Sequence, residues 1–273
     1  MLAHHYKDKK KHVTYPCFIQ PKIDGVRGIY NSEILQTRDE KIWNNSVVEH
    51  ITSELTNLPK HILLDGELYV HGWPLQKINA AISVNRLHPT KNTPHVQFHV
   101  FDCIDASNLT MPFSERFNLL QEILPANSLN IFSVPTYKVH TEIEADQYYS
   151  HFLGLNYEGM MYRLNRPYGL LDDCGNKENR WPYLLKRKDW LDENCECVDV
   201  ILGEEGSKYE SVVGSLKLRF PNGIIFSAGS GLSDIQRHQY MDAPPIGTMV
   251  RIKYKCLTEG GRPREPIISA VLD

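Results

Sequence analysis

The sequence of 273 residues lacks any long hydrophobic segment. No apolar run approaches the ~20 residues that a helix needs to cross a bilayer. The N-terminal residues 1–17 are basic, but no apolar stretch of the kind found in signal peptides follows them. We therefore expect no membrane partner and a cytoplasmic location.

Cysteine motifs and a large excess of one charge are also missing. The six cysteines include no CxxC pair, which argues against a zinc ribbon. Cys195 and Cys197 are spaced to lie on one face of a strand, where we expect them to pack as reduced thiols. The net charge of −3 does not indicate a polyanionic partner, although a local groove can still be basic.

A small basic cluster lies near the N-terminus. Two interpretations are open for it: a solvated, frayed tail, which we favour, and an arm that contacts phosphates. The cluster consists of Lys7, Lys9, Lys10 and Lys11.

The first two thirds of the sequence alternate between strand and helix patterns. Residues 17–23 and 26–30 are apolar-rich and flank Asp24-Gly25, which predicts a hairpin. A second Asp-Gly pair, Asp65-Gly66, predicts a tight turn inside the strand pattern of residues 61–70. Apolar residues at helical spacing predict four helices, which cover residues 44–58, 74–83, 112–124 and 144–156. Asn45 or Ser46 is the predicted cap of the first helix, and Ser114 is the predicted cap of the third.

The pattern changes near Cys195. Residues 195–273 consist almost entirely of short strand signals separated by Gly, Pro and Asn-Gly turns, which predicts a small closed barrel such as an OB-fold. We therefore expect two domains, residues 1–191 and 195–273. The polar segment Asp192-Glu193-Asn194 is the predicted hinge between them.

Lys22 opens the series of motifs that points to chemistry. In isolation, Lys22-x-Asp24-Gly25-x-Arg27 is best explained as an exposed lysine beside a turn. Four further motifs follow it in order and change that interpretation; they are Asp65-Gly66-Glu67-Leu68, Phe101-Asp102, Glu158-Gly159-Met160-Met161 and Leu184-Leu185-Lys186-x-Lys188.

These residue types together are those of a nucleotide site. An aromatic ring such as Phe101 can stack on a base. Carboxylates hold a hard cation such as magnesium through oxygen, and lysines neutralise phosphate oxygens. Lys186 and Lys188 alternate on a predicted strand, and a sheet face with two lysines is unfavourable unless anions lie against it.

The ordered set resembles the covalent nucleotidyltransferase superfamily, and most closely the small ATP-dependent DNA ligases of the minimal two-domain type. Residues 208–237 are also similar to the ligase OB domain, including the turn Gly231-Leu232-Ser233-Asp234. The resemblance implies an α+β fold, with a nucleotidyltransferase (adenylation) domain of antiparallel sheets flanked by helices, followed by a small OB-fold β-barrel. It also implies a monomer in the cytoplasm of a bacterial or virus-infected cell.

The resemblance further implies an activity and roles for individual residues. Lys22 would attack the α-phosphate of ATP and carry AMP, which would then pass to the 5′-phosphate of nicked double-stranded DNA. Magnesium or manganese would assist, held by Glu67 and Glu158. Arg264 would orient pyrophosphate, although the sequence after Pro266 lacks the further basic residue that usually follows. The remaining implied residues are Gln20, Ile23, Arg27, Glu67, Phe101, Lys186 and Lys188 for the nucleotide, and Arg27, Arg38 and Arg180 for DNA.

Other functions stay open from the sequence. An RNA ligase or a GTP-dependent capping-type nucleotidyltransferase would use the same motifs with another substrate. A non-catalytic nick-binding protein would need none of the lysines and glutamates that the motifs retain.

Overall fold

The computed structural model describes residues 1–169, 180–258 and 260–272, with only the backbone of Arg180. The chain divides into two compact units, Met1–Lys188 and Asp189–Asp273. The predicted domain limits of 1–191 and 195–273 place the boundary a few residues later.

In the described part of the first unit, the strands form two five-stranded sheets. The first sheet has the order β1-β10-β9-β2-β8, and these strands are β1 Leu2–His5, β2 Cys17–Lys22, β8 Tyr137–Val139, β9 Gly159–Arg163 and β10 Arg180–Arg187. The second sheet has the order β4-β3-β5-β6-β7, and these strands are β3 Val26–Tyr30, β4 Leu35–Thr37, β5 Ile62–Tyr69, β6 Gln97–Asp105 and β7 Ile131–Ser133.

The predicted hairpin over residues 17–30 is wrong. Strand β2 pairs with β8 and β9 in the first sheet, whereas β3 pairs with β4 and β5 in the second. Asp24-Gly25 is therefore part of a crossing between two sheets. Gly25 packs closely against β5, since a Cβ added there would lie 2.4 Å from the carbonyl oxygen of Leu68. Lys22 and Arg27 consequently lie on different sheets that face each other.

The predicted Asp65-Gly66 turn is also wrong. Both residues lie within the continuous strand β5, and the pairing with β6 shifts register between them. A Cβ on Gly66 would lie 2.6 Å from the carbonyl oxygen of His99, so the glycine allows this close approach at the bulge. Burial on both sides of the strand overrides the turn preference of the dipeptide.

All four predicted helices are present, as α2 Asn45–Thr52, α3 Leu75–Ile82, α4 Phe113–Ile123 and α5 Glu142–Gly154. Their apolar faces pack on the sheets, as with Val47, Val48 and Ile51 of α2. The predicted caps are wrong. Asn44 caps α2 by accepting from the Ser46 N–H, and the Ser114 N–H donates to Asn165, 2.8 Å away. Short 3₁₀ helices occupy Lys10–His12, Ser53–Leu55 and Thr93–His95.

The N-terminal residues are not the frayed tail that we favoured. Strand β1 pairs in parallel with β10 and is followed by the short helix α1, Tyr6–Lys9. Tyr6 is buried and stacks on Tyr162, with ring centroids 4.7 Å apart. Lys10 forms an ion pair with Glu142. One buried aromatic therefore anchors the basic cluster to the first sheet.

The second unit contains a five-stranded sheet of order β13-β12-β11-β14-β15 in its described part. The helix α6 Asp234–Asp242 begins with a capping box between Ser233 and Gln236. The strands are β11 Leu191–Leu202, β12 Val213–Arg219, β13 Ile225–Ala228, β14 Met249–Tyr254 and β15 Ile267–Leu272.

The predicted barrel closure and hinge need correction. Within residues 180–258 and 260–272 no ladder joins β13 to β15, although the Ile268 N–H donates to the Ser230 carbonyl at 2.8 Å. The barrel is therefore not closed by strand pairing. The predicted hinge, Asp192 to Asn194, lies within β11 and pairs with β14. Residues 188–190 form the non-strand connection between the units.

Gly231 lies where the two ends of this sheet approach each other. Its φ of +96° favours glycine, and a Cβ would lie 2.0 Å from the Ile268 carbonyl oxygen. We expect Gly231→Ala to lower the free energy of unfolding by about 2–4 kcal/mol in urea denaturation. Gly206 has a similar φ of +77° with open space around it, so Gly206→Ala should lose only about 1 kcal/mol. Equal losses would exclude the steric explanation.

No helix in the described ranges is long and apolar enough to cross a membrane.

Candidate active site

A cavity of ≈ 260 Å³ lies in the first unit, with walls from both sheets. The register of the first sheet explains which side chains reach it. Lys22 lies opposite Gly159, Gln20 opposite Met161 and Met161 opposite Lys186, so these positions share one face. The second sheet contributes Arg27, Asp65, Glu67 and Phe101. The residues predicted from sequence that line the cavity are Gln20, Lys22, Ile23, Arg27, Arg38, Glu67, Phe101 and Lys186.

Lys22 lines this cavity and forms a lysine–glutamate cluster with Glu158 and Lys188, which are not themselves lining residues. One oxygen of the Glu158 carboxylate contacts Lys22 Nζ, and the other accepts from Lys188 Nζ at 3.2 Å. Glu158 is held there because Gly159 permits a close crossing, since a Cβ on Gly159 would lie 2.2 Å from the carbonyl oxygen of Arg187. The side chains of Lys22 and Lys188 are 20% and 7% exposed, so the cluster orients an amine that solvent and ligand can still reach.

Arg27 is fixed by Asp65. Its Nε and Nη2 donate to the two oxygens of that carboxylate at 2.9 and 2.8 Å, and its Nη1 donates to the carbonyl of Met1 at 2.8 Å. The Tyr168 hydroxyl also donates to Asp65, at 2.7 Å. Burial lowers the pKa of Arg27, but Asp65 together with Tyr168 and Glu67 outweighs this effect and raises the pKa. Arg27 is therefore a preorganised, permanently charged donor at the cavity wall.

Glu67 introduces a carboxyl group between two cations. Burial raises the pKa of Glu67 to about 7, against the opposing charges of Lys22 and Arg27. The Gly25 N–H lies 3.3 Å from its Oε1. A group of this kind can accept from ligand hydroxyls or hold a cation.

Phe101 rests on a buried polar network. The guanidinium of Arg163 lies 5.1 Å from its ring centroid, and Gln20 Nε2 donates to its carbonyl oxygen at 3.0 Å. Asp102 accepts from Arg116 at 2.8 Å and from Arg163 at 2.7 Å. Together these contacts hold the aromatic side chain at the cavity.

The other predicted residues are not brought to the cavity in the same way. Glu158 and Lys188 are not among its lining residues: Glu158 contacts Lys22, and Lys188 contacts Glu158. Arg38 lines its edge but is 56% exposed and pairs with Asp39. The side chain of Arg180 lies outside the described residues. Arg264 belongs to the second unit, where its backbone pairs with that of Cys256 and Lys255.

Sequence reasoning missed several residues of the site. Asp65 was interpreted mainly as a turn residue, and Arg163 was not considered. The N-terminal segment Met1–Ala3, to which the sequence analysis gave no role, also lines the cavity, as do Met161 and Val134. Alternation along Gly159–Arg163 could have indicated Met161 and Arg163, because both lie on the same strand face as Gly159. The placement of Met1 depends on pairing between distant strands and leaves no local signal.

A magnesium ion would have to bind here through few protein ligands. The described residues contain no group of three or more His, Cys, Asp or Glu side chains suited to a metal. Magnesium commonly binds through one or two carboxylates completed by phosphate oxygens and water. Glu67, which lines the cavity, and Glu158, which contacts Lys22, are carboxylates of the kind that this mode requires.

Glu158 offers a direct test of the cluster. Glu158→Gln keeps the size but removes the charge that binds two ammonium groups, so we expect labelling of the protein by ATP to slow about 10–100-fold. The measurement is the single-turnover rate with α-labelled ATP. The control is Glu122→Gln on the exposed face of α4, which should label at the wild-type rate. Equal rates for both variants would contradict a role for Glu158.

Comparison with known proteins identifies the families that match the two parts of the chain. The model of the ATP dependent DNA ligase domain matches residues 1–170, and the model of the DNA ligase OB-like domain matches residues 205–271. These matches confirm the predicted α+β fold, with a nucleotidyltransferase domain followed by an OB-fold domain.

The curated relatives that match this chain are named DNA ligase. The DNA ligase of African swine fever virus (isolate Pig/Kenya/KEN-50/1950) is 31% identical over 211 residues, which cover 71% of this chain and 47% of the relative. The DNA ligase of Haemophilus influenzae is 26% identical over 267 residues, covering 97% and 88% of the two chains. The chain thus spans about half the length of the viral relatives that it matches.

Solved structures share the architecture. A structure from a study of Lig E DNA ligases has a TM-score of 0.80 at 21% identity and covers 100% of this chain and 98% of its own, which indicates a common fold. The Chlorella virus DNA ligase-adenylate has a TM-score of 0.54 at 25% identity and covers 100% and 97%. Because this family model matches residues 1–170, more than half of the chain, the chain belongs to the ATP-dependent DNA ligase domain family.

Proposed function

We propose that this protein is an ATP-dependent DNA ligase that seals nicks in duplex DNA through a lysine-AMP intermediate. The observation that carries the proposal is the lysine–glutamate cluster, which directs Lys22 Nζ at a cavity with an aromatic wall and further cations. Membership of the ATP-dependent DNA ligase domain family supports ATP as the nucleotide. The names of the relatives support DNA as the nucleic acid.

In the first step, the unprotonated Lys22 amine attacks the α-phosphorus of ATP. A phosphorus–nitrogen bond forms, the bond to the β-phosphate oxygen breaks, pyrophosphate leaves, and the nitrogen loses one proton. Glu158 holds the amine in place, and Lys186 and Lys188 neutralise the phosphate oxygens. Bound magnesium or manganese, held by Glu158 with Glu67, would supply further neutralisation of phosphate charge.

The rest of the cavity binds the nucleoside. Phe101 stacks on the base, with Gln20 and Ile23 beside it on β2 and the crossing that follows. Arg27 and Glu67 contact the ribose, since both present hydrogen-bonding groups from the second sheet. These residues position the α-phosphate for attack by Lys22.

In the later steps, AMP passes to the 5′-phosphate of the nick, and the 3′-hydroxyl then displaces AMP to form the phosphodiester bond. Arg27, Arg38 and Arg180 contact DNA phosphates in this proposal, and Arg264 orients pyrophosphate in the first step. We propose that the protein does this as a monomer.

A label-transfer experiment tests the proposal and separates it from its alternatives. The protein is incubated with α-labelled ATP or GTP and magnesium, and is then chased with nicked DNA or nicked RNA. Label from ATP that leaves the protein as nicked DNA is sealed supports a DNA ligase. Labelling by GTP would point to a capping-type enzyme, and sealing of nicked RNA alone would point to an RNA ligase. Binding of nicked DNA without any labelling would overturn the proposal in favour of a non-catalytic protein.

A further inference from the structure

Tyr168 is a buried tyrosine that bonds two residues of the cavity wall. It is 6% exposed, and within the described part of the chain it is not itself one of the lining residues. Its hydroxyl donates to Asp65 Oδ2 at 2.7 Å and accepts from Arg27 Nη2 at 3.3 Å. Both directions are fixed, because a carboxylate only accepts and a guanidinium only donates. Burial raises the pKa of Tyr168, so the hydroxyl keeps the proton that it donates.

Arg27 and Asp65 form a pair whose internal geometry is fixed. Arg27 Nε and Nη2 donate to the two Asp65 oxygens, and this bidentate contact orients the two groups relative to each other. It does not by itself orient the pair relative to the rest of the fold. Two further contacts do so, since the Met1 carbonyl accepts from Arg27 Nη1 at 2.8 Å and the Tyr168 hydroxyl bonds both members of the pair.

Tyr168 is itself held by a network on the far side of its ring. Arg116 donates through Nη1 to the main-chain carbonyl of Arg166, two residues before Tyr168, at 3.0 Å. The Arg116 guanidinium also lies 5.6 Å from the centroid of the Tyr168 ring. Asp102 fixes Arg116 by accepting from its Nε and Nη2 at 2.8 and 3.1 Å. The hydroxyl of Tyr168 therefore starts from a rigid support that does not depend on a ligand.

We propose that Tyr168 is a positioning residue, which sets the direction in which the Arg27 guanidinium faces the cavity. It acts through the Asp65 carboxylate and through its own bond to Nη2. The proposal rests on the proposed function, in which Arg27 contacts the nucleotide and the DNA. Without the hydroxyl, Arg27 keeps its charge but occupies more than one orientation. Misorientation of a contact lowers the rate of the chemical step more than it lowers the affinity for the ligand.

The test is a set of three variants in single-turnover self-labelling at increasing concentrations of α-labelled ATP. Tyr168→Phe keeps the buried ring and should lower the maximal rate about 10-fold, while the ATP concentration that gives half of that rate changes less than about 3-fold. Arg27→Lys keeps a charge beside Asp65 but has no planar guanidinium to orient. Adding Tyr168→Phe to Arg27→Lys should therefore lower the rate by less than about 2-fold. Losses that multiply in the double variant would overturn the proposal.

Tyr30 supplies the matched control. It is 3% exposed and lies on β3, the strand that carries Arg27, but on the opposite face. Tyr30→Phe removes a hydroxyl from another buried tyrosine of the same unit and should label at the wild-type rate. A 10-fold loss in Tyr30→Phe as well would mean that any such change in this unit slows labelling, which would overturn a specific role for Tyr168.

A measurement on the wild type keeps the proposal testable even if Tyr168→Phe does not fold. The two Nη signals of Arg27 in nitrogen-15 NMR, identified by their loss in Arg27→Lys, should be resolved, because a held guanidinium does not rotate rapidly. A single averaged signal would overturn the proposal. Failure of the proposed function gives a different result, since the wild type would then not label with ATP at all.

Discussion

Replacing Lys22 with alanine is expected to lower self-labelling by ATP by at least about 10³-fold, because the amine that forms the phosphoramidate in the proposed function is removed. The fold should survive, since Lys22 is the last residue of β2 and its side chain is 20% exposed. The measurement is the amount of acid-stable and acid-labile label on the protein after a single turnover. A phosphoramidate is acid-labile, so the label on wild type should be lost in acid.

A second lysine provides the matched control. Lys60 is exposed and lies in the loop before β5, so Lys60→Ala should label at the wild-type rate. Melting curves of both variants should overlay the wild type within a few degrees. Labelling of Lys22→Ala that approaches the Lys60→Ala rate would exclude Lys22 as the nucleophile.

Part of the cavity lining was predictable from sequence, because Lys22, Glu67 and Phe101 occur in short motifs that follow one another in order. Glycine beside Glu158 and beside Asp24 marks places where backbones cross closely, and the sequence contains that signal directly. The structure shows which strands approach these two glycines closely. Gly25 packs against β5, and Gly159 packs against the end of β10.

The arrangement of the strands was less predictable. An Asp-Gly dipeptide between two strand patterns favours a hairpin, yet β2 and β3 belong to different sheets. Pairing with distant strands decides whether β2 and β3 form a hairpin or join different sheets. β2 pairs with β9 and β3 pairs with β5, each more than thirty residues away in the chain. For this reason Lys22 and Arg27 line one cavity from two different sheets, rather than from neighbouring strands of one sheet.

Local sequence patterns do not predict ion pairs between residues that are distant in the chain. Asp65 precedes a glycine and has the composition of a turn, but its carboxylate binds Arg27 from another strand. Arg163 is a charged residue at the end of an apolar strand, where an exposed side chain is the default expectation. Only the position of Asp102 on β6 explains why an arginine can be buried there.

Asp102 is the residue whose loss we expect to destabilise the protein most. Its side chain is fully buried and accepts from Arg116 at 2.8 and 3.1 Å and from Arg163 at 2.7 Å. Burial lowers the pKa of Arg163, and Asp102 opposes that effect. Asp102→Ala would leave two buried guanidinium groups without their carboxylate. Removing one partner of a buried ion pair typically loses about 3–5 kcal/mol, so the free energy of unfolding should fall by at least that amount in urea denaturation.

An exposed pair in the same unit provides the comparison. Arg38 and Asp39 are 3.1 Å apart and 56% and 68% exposed, so Asp39→Ala should change the free energy of unfolding by less than about 1 kcal/mol. The double variant Asp102→Ala, Arg163→Met should recover part of the loss, because one of the uncompensated charges is removed with its partner. A loss for Asp102→Ala as small as that for Asp39→Ala would mean that the arginines find other acceptors or water. The network would then not be what holds Phe101 at the cavity.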